Sequence, residues 1–321
     1  AVLLWRSSST RANLLLFAAV VGGIGLTVLL TVPFAISAMR AQDPPGPHMV
    51  RTASITLSEA GKNNSAGPVG MHLWYPADDK PGPDAPVSDC AGLLSLPLAA
   101  DDNARRLILY MPHLAGPADD NSARLAYLAS HGYVIVAFDD IALDPASSDA
   151  TPEDEAIRFE RGEFRTQAEF DAGVARFNMR VRRQAEKALR GLDLLTACAA
   201  GAKNSVWTSS VDYSHVGFLG FSFGGATAAE ASALDARVAA VANLDGNLFG
   251  QAFAGGVRAP YLFVMSGRSF GTTELMNQDD ALERYHWRTW SRDLHEQKRL
   301  IARAGSLGIR IRDSVHLSLC N

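Results

Sequence analysis

Residues 220–225 read GFSFGG, with the apolar run HVGFL at 215–219 before them and the small-residue run ATAAEASA at 226–233 after them. An apolar run, a glycine-flanked bend and a helix-forming run predict strand, sharp turn, helix. In that setting G-x-S-x-G is a nucleophile elbow. Ser222 would sit on a strained turn that lifts its hydroxyl above a sheet, and the flanking glycines remove side chains that would clash there. The Phe223 N–H would then face the place where an oxyanion forms, at the positive end of the following helix. The five-residue string recurs by chance too often to carry weight alone, so the flanks carry the reading.

Working outward, the pattern alternates. Upstream, residues 107–111 read as a buried strand, 122–130 as a helix, and 133–138 as a second buried strand ending in Asp139-Asp140. Downstream, 238–244 is a strand ending in Asp245-Gly246, 260–265 one ending in Ser266-Gly267, and 308–311 a short last strand leading to His316. Alternating strands and helices predict an α/β fold, a mostly parallel sheet with helices on both faces. Residues 52–57 and 69–75 read as an antiparallel lead-in pair. Residues 164–199 have helical periodicity, with Gly173 as the point where the helix would break, and 281–304 form an amphipathic helix. Residues 141–160 form an acidic loop with Pro145 and Pro152, placed where the rim of a site would lie. Residues 93–100 are apolar but too short to assign.

A serine hydroxyl at neutral pH needs an imidazole to take its proton and a carboxylate to hold that imidazole in the right tautomer. In a doubly wound hydrolase these partners follow the serine in the order acid, histidine, on loops at the carboxyl ends of later strands. His286, His295 and His316 lie downstream. The first two fall in or near the amphipathic helix, whereas His316 directly follows the last strand and is the candidate base. Asp245 stands at a strand tip, while the next tip offers Ser266-Gly267; Asp245 is therefore the candidate acid, with Asp279 and Asp280 behind it. The second oxyanion N–H is expected from the loop PHLAG at 112–116, at Ala115 or else Leu114, with His113 shaping the loop. Phe221, Leu114 and Leu248 are candidates for an apolar substrate pocket, with Phe223 and Phe249 beside them.

The chain of 321 residues has a net charge of −4. The first 40 residues hold Arg6, Arg11 and Arg40 and no acid, so the remainder has 27 basic against 34 acidic residues, a charge of −7. Such a balance argues against nucleic acid as a partner. Three cysteines, Cys90, Cys198 and Cys320, lack C-x-x-C spacing, and eight histidines form no H-E-x-x-H cluster, so no metal or cofactor is expected. One disulfide is open to an exported domain, with its pairing undetermined. Residues 14–32 are uncharged and would span about 28 Å as a helix. Arg6 and Arg11 before them favour an inside N-terminus and an exported domain. A cleaved signal peptide ending near Ile36-Ser37-Ala38 is the rival. The division expected is anchor or signal over 1–40, a Pro-rich linker over 41–49 and a hydrolase domain over 50–321.

Several stretches together resemble the platelet-activating-factor acetylhydrolase family, in its bacterial branch of α/β-hydrolases. They are LWYPA at 73–77, LASHGYVIVAFD at 128–139, the run from GFSFGG to NLDG at 220–246, and the histidine of VHLSL at 315–319. The resemblance implies nucleophile, acid and base at Ser222, Asp245 and His316, in agreement with the elimination above. It implies a serine carboxyl-ester hydrolase for short-acyl or lipid-like esters, working without a cofactor. A small-ester or polyester hydrolase, and a catalytically silent domain used for binding at a membrane, are the alternatives. This chain has Phe221 where the family usually has histidine, PHLAG where it has an SHGxG-like loop, and five residues after His316 where the fold commonly adds a closing helix.

Overall fold

Strands form where apolar, β-branched runs are bounded by turns. In the computed structural model, which describes residues 46–58, 67–79, 86–101, 103–145, 150–202 and 204–320, these runs become β1 (Val50–Leu57), β2 (Val69–Pro76), β3 (Arg105–Met111), β4 (Val134–Ala137), β5 (Val211–Phe221), β6 (Val238–Leu244), β7 (Tyr261–Ser266) and β8 (Leu307–Ile311). They line up in one sheet of order β1-β2-β4-β3-β5-β6-β7-β8. β1 pairs antiparallel with β2, and β2 antiparallel with β4; every later pairing is parallel. This is an α/β-hydrolase sheet. Its parallel strands deliver their carboxyl ends, and the loops that follow them, to one edge.

Successive side chains of the central strands serve opposite faces. Leu107, Leu109 and Phe218 meet Ala185 and Leu192 of the long helix Gln167–Ala200 and Ala228 of the elbow helix Phe223–Leu234. Tyr110, Ile135 and Leu219 meet Leu125 and Ala129 of the helix Ser122–Ser130 on the other face. Each such fully buried leucine, isoleucine or phenylalanine contributes about 1.5–3 kcal/mol. Cys90 and Cys198 form a disulfide that ties the short helix Cys90–Ser95 to the end of the long helix. Cys320 is free.

Several expectations are corrected. The long helix runs unbroken through Gly173; a Cβ there would collide with the Phe164 ring, so the glycine makes room for an aromatic side chain rather than ending the helix. Thr166 and Glu169 close a capping box at its start. The acidic loop at 141–160 contains a helix, Pro152–Arg158, with its own capping box from Thr151 and Asp154. The amphipathic helix expected over 281–304 is two helices, Ala281–Ser291 and Leu294–Ile301. They part at Asp293, whose carboxylate turns inward to accept the N–H of Leu248 at 2.5 Å. The end of the expected linker belongs to the domain: the Gly46 and His48 N–H groups bond to Ser130, and Ala77 N–H bonds to Met49. Gly46–Asn321 accordingly forms one compact unit.

The apolar run at 14–32 lies outside the described residues. Among the described residues no helix is long and apolar enough to cross a membrane.

Candidate active site

β5 ends at Phe221 and the elbow helix starts at Phe223, so the chain reverses at Ser222 alone. Ser222 adopts φ 56, ψ −121, a left-handed conformation that L-residues avoid. It is pinned there by its own N–H, which donates to Leu244 O at 2.8 Å, and by its carbonyl, which accepts from Gly225 N at 2.9 Å. Close approach requires the glycines around it. A Cβ on Gly224 would run into the carbonyl oxygens of Met111 and Pro112, and one on Gly220 into Gly224. The elbow helix therefore packs directly against the end of β3, beside the PHLAG loop.

The Ser222 side chain meets two partners from distant parts of the chain. Ser222 Oγ lies 2.8 Å from His316 Nε2, and His316 Nδ1 lies 3.0 Å from Asp245 Oδ2. Asp245 follows β6 at φ 55 and is 1% exposed. Its Oδ1 accepts from the Ser266 N–H at 2.8 Å and from the Ser269 hydroxyl. Burial pushes the Asp245 pKa up, but the hydrogen bonds from His316, Ser269 and Ser266 outweigh it and hold the carboxyl below the usual carboxylate range. An ionised Asp245 only accepts, so His316 Nδ1 carries the proton and Nε2 is left to accept from the Ser222 hydroxyl.

His316 is held on three sides. Its ring stacks on Phe221, with centroids 4.8 Å apart, and the edge of Trp290 meets it at 4.7 Å. The short 3-10 turn His316–Leu319 is fastened to the helix Ser122–Ser130 by Arg124 Nη1, which donates to Leu319 O at 2.7 Å. Phe221 is thus a platform under the imidazole and not a wall of the pocket, and it is 1% exposed. Leu248 is also displaced from its expected role: it lies fully inside the main core and does not line the cavity at Ser222.

The PHLAG loop is clamped at both ends. His113 N–H and Nδ1 both bond to Asp120 Oδ2, at 3.0 and 2.6 Å, and Tyr110 donates its hydroxyl to the other oxygen of Asp120. Asp140 N–H donates to Gly116 O at 3.0 Å. Between the clamps Ala115 takes φ 57 in a turn closed by Gly116 N–H to His113 O. The N–H groups of Leu114, Ala115 and Phe223 have no acceptor among the described residues. Leu114 lines the cavity at Ser222; Ala115 does not.

That cavity measures about 220 Å³ and is walled by Leu114, Phe177, Phe223, Phe249 and Trp290, with Arg161, Asn247, His286 and Thr289 as its polar members. Burial pushes the His286 pKa down; Glu283 raises it and His316 lowers it further. A larger apolar groove of about 1020 Å³ runs along the opposite sheet face past Tyr127 and Leu262, without any member of the Ser222 chain. Among the described residues no group of three or more His, Cys, Asp or Glu side chains is placed to hold a metal ion.

Sequence reasoning missed Ser266 and Ser269, Trp290 and the polar support below Asp245. In that support Asn243 bonds Gly246 through both its amide groups, and Tyr261, Gln297 and Asp293 continue the network. Ser266-Gly267 at a strand tip was the available signal: a tip without a carboxylate can still supply donors to the neighbouring one.

The profile of the family described as platelet-activating factor acetylhydrolase, isoform II, matches residues 107–316. No curated protein sequence matches the chain. Among solved structures, a ferulic acid esterase from Streptomyces cinnamoneus is similar at 21% identity and a TM-score of 0.56, covering 86% of this chain and 77% of its own. A dienelactone hydrolase-like promiscuous phosphotriesterase from metagenomic libraries is similar at 18% identity and a TM-score of 0.47, over 83% of each chain.

Proposed function

The chain belongs to the platelet-activating factor acetylhydrolase isoform II family, a family of ester hydrolases, and from that premise we propose that it cleaves carboxyl esters through an acyl-enzyme on Ser222. The observation that carries the proposal is the unbroken chain of hydrogen bonds from Ser222 through His316 to Asp245. Ser222 Oγ attacks the ester carbonyl while His316 Nε2 takes its proton and then passes it to the leaving alkoxide. Asp245 holds the imidazole in the tautomer this needs and stabilises the imidazolium. The oxyanion is received by the Phe223 N–H at the helix N-terminus and by a donor on the Leu114–Ala115 segment, groups that have no acceptor among the described residues. Water activated by His316 then releases the acid.

The volume of the cavity supports a short acyl group. At about 220 Å³ it falls below the roughly 300–1,000 Å³ that drug-sized ligands occupy. Its four aromatic rings favour a second reading within the same chemistry, a small aryl ester. The Cys90–Cys198 disulfide supports an oxidising compartment. With Arg6 and Arg11 ahead of an uncharged run at 14–32, it supports an exported domain tethered near lipid, where short-acyl lipid esters would be at hand.

A fluorophosphonate should label wild-type protein at Ser222 and leave Ser222→Ala unlabelled. Rates on p-nitrophenyl esters of increasing chain length should fall beyond short acyl groups; preference for long chains would remove the short-acyl assignment. Membrane fractionation of the full chain, with and without residues 1–40, tests the tether.

A further inference from the structure

The turn at residues 160–162, on the rim of the Ser222 cavity, is fastened on every side but one. The Glu160 carbonyl accepts from Nη1 of Arg180 at 2.9 Å, and Arg180 is held in turn by Asp140 at 2.5 Å, both side chains being 1% exposed. The Glu160 carboxylate takes Arg176 Nε at 2.6 Å and the Gly162 N–H at 2.8 Å. Gly162 lies at φ 81 against the Phe177 ring. Arg161, between these anchored neighbours, is exposed and lines the mouth of the cavity with Ser222. Its guanidinium has no hydrogen-bond or ion-pair partner among the described residues, and no other side chain on the cavity wall carries a permanent charge.

A fork of five N–H donors on a fixed backbone, solvent-exposed at a mostly apolar cavity and without a partner among the described residues, is suited to a planar or tetrahedral oxyanion. The anchored turn also lowers the entropy lost when a ligand is gripped. We propose that Arg161 is the specificity-determining residue of this site and binds an anionic group, a carboxylate or a phosphodiester, carried by the ester substrate. The proposal rests on Ser222 being the nucleophile and adds the charge of what is cleaved there. Neutral esters enter the same cavity without this contact and are the poorer substrates.

The test compares kcat/KM of the full chain on three esters: 4-nitrophenyl butyrate, mono-4-nitrophenyl glutarate, and a 4-nitrophenyl ester whose acyl chain ends in a methyl phosphodiester. Arg161→Gln should lower the anionic-to-neutral ratio roughly 10-fold or more, mainly through KM, because bonds to charged groups are the strong ones. Arg161→Glu should lower it further and Arg161→Lys should keep part of it. A fall confined to the glutarate arm identifies a carboxylate, and one confined to the phosphodiester arm a phosphate. A ratio that Arg161→Gln leaves unchanged in both arms overturns the proposal while neutral-ester turnover keeps the Ser222 reading intact. A wild-type chain that turns over none of the three overturns both.

Discussion

The two ends of the parallel strands treat left-handed backbone differently. At their amino ends the positive-φ residues are glycines: Gly132 precedes β4, Gly256 β7 and Gly305 β8. Past their carboxyl ends glycines still occur, at Gly162 and Gly250, but they are joined by Ala115 after β3, Ser222 after β5, Asp245 after β6 and Asp313 after β8, at φ values of 55 to 57, and these four are all the non-glycine cases among the described residues. A turn that only reverses the chain takes the residue without steric cost; a turn that must present a side chain or an N–H accepts strain of about 1–2 kcal/mol per residue. The four strained turns carry the PHLAG loop, the serine, the carboxylate and the approach to the histidine. The carboxyl edge is therefore where stability is given up for geometry.

The comparison is tested most severely at the strained edge. If Ser222 and Asp245 are kept left-handed for chemistry, Ser222→Ala should lower kcat by roughly 10³-fold or more, and Asp245→Asn by a comparable factor, with the thermal midpoint moved little for serine. Rates close to wild type on a short p-nitrophenyl ester would break the link between strain and function. Next in size is Gly224→Ala, which forces a methyl group into the Met111 and Pro112 carbonyls. It should cost about 3 kcal/mol by chemical denaturation and disturb the PHLAG loop as well.

What was legible in the sequence follows the same division. Strand tips are marked by an apolar run ending in a turn residue, so Ser222, Asp245 and His316, which sit at or just past tips, could be located from order and spacing. Side chains that reach the site from a helix flank or an anchored turn carry no such mark. Trp290 meets His316 from the helix Ala281–Ser291, a contact between residues 26 positions apart, and the helix expected over 281–304 parts at Asp293, whose carboxylate accepts the N–H of Leu248, 45 residues upstream. Arg161 depends on Arg180 and Asp140 meeting across 40 residues. Leu248 was misplaced because an apolar residue three positions past the acid reads the same whether it faces core or pocket. In the fold, Gly173 was misread because its neighbour is an aromatic ring from outside its own helix.

Smaller effects sharpen the contrast between the edges. Gly132→Ala combines φ 98 with the Arg105 guanidinium 3.1 Å from the new methyl and should cost about 1–2 kcal/mol without changing kcat. Asp313→Gly should do the reverse, since its left-handed turn is relieved and exposed. A gain of up to about 1 kcal/mol is expected, with lower kcat if the looser turn lets His316 wander. A loss of stability there would mean that the carboxyl-edge strain is compensated locally rather than carried by the whole fold.

The smallest effect belongs to the clamp on Ala115. The hydrogen bond from His113 to Asp120 raises the His113 pKa above 6.5, against the opposing effect of burial. A group whose pKa is raised by folding stabilises the folded state fully below its unfolded value, and that stabilisation is lost as pH rises through the folded one. Urea unfolding between pH 6 and pH 9 should therefore show a decline in wild type that His113→Gln lacks. Because 42% of the His113 side chain is open to solvent, the increment should be small and should shrink in added salt. Equal slopes in the two proteins would mean that the loop is held by the neutral hydrogen bonds of His113 and Tyr110 to Asp120. Ala115 would then keep its left-handed turn at any pH in that range, and the strain at this corner would be carried by packing against Gly116 and Asp140 instead of by charge.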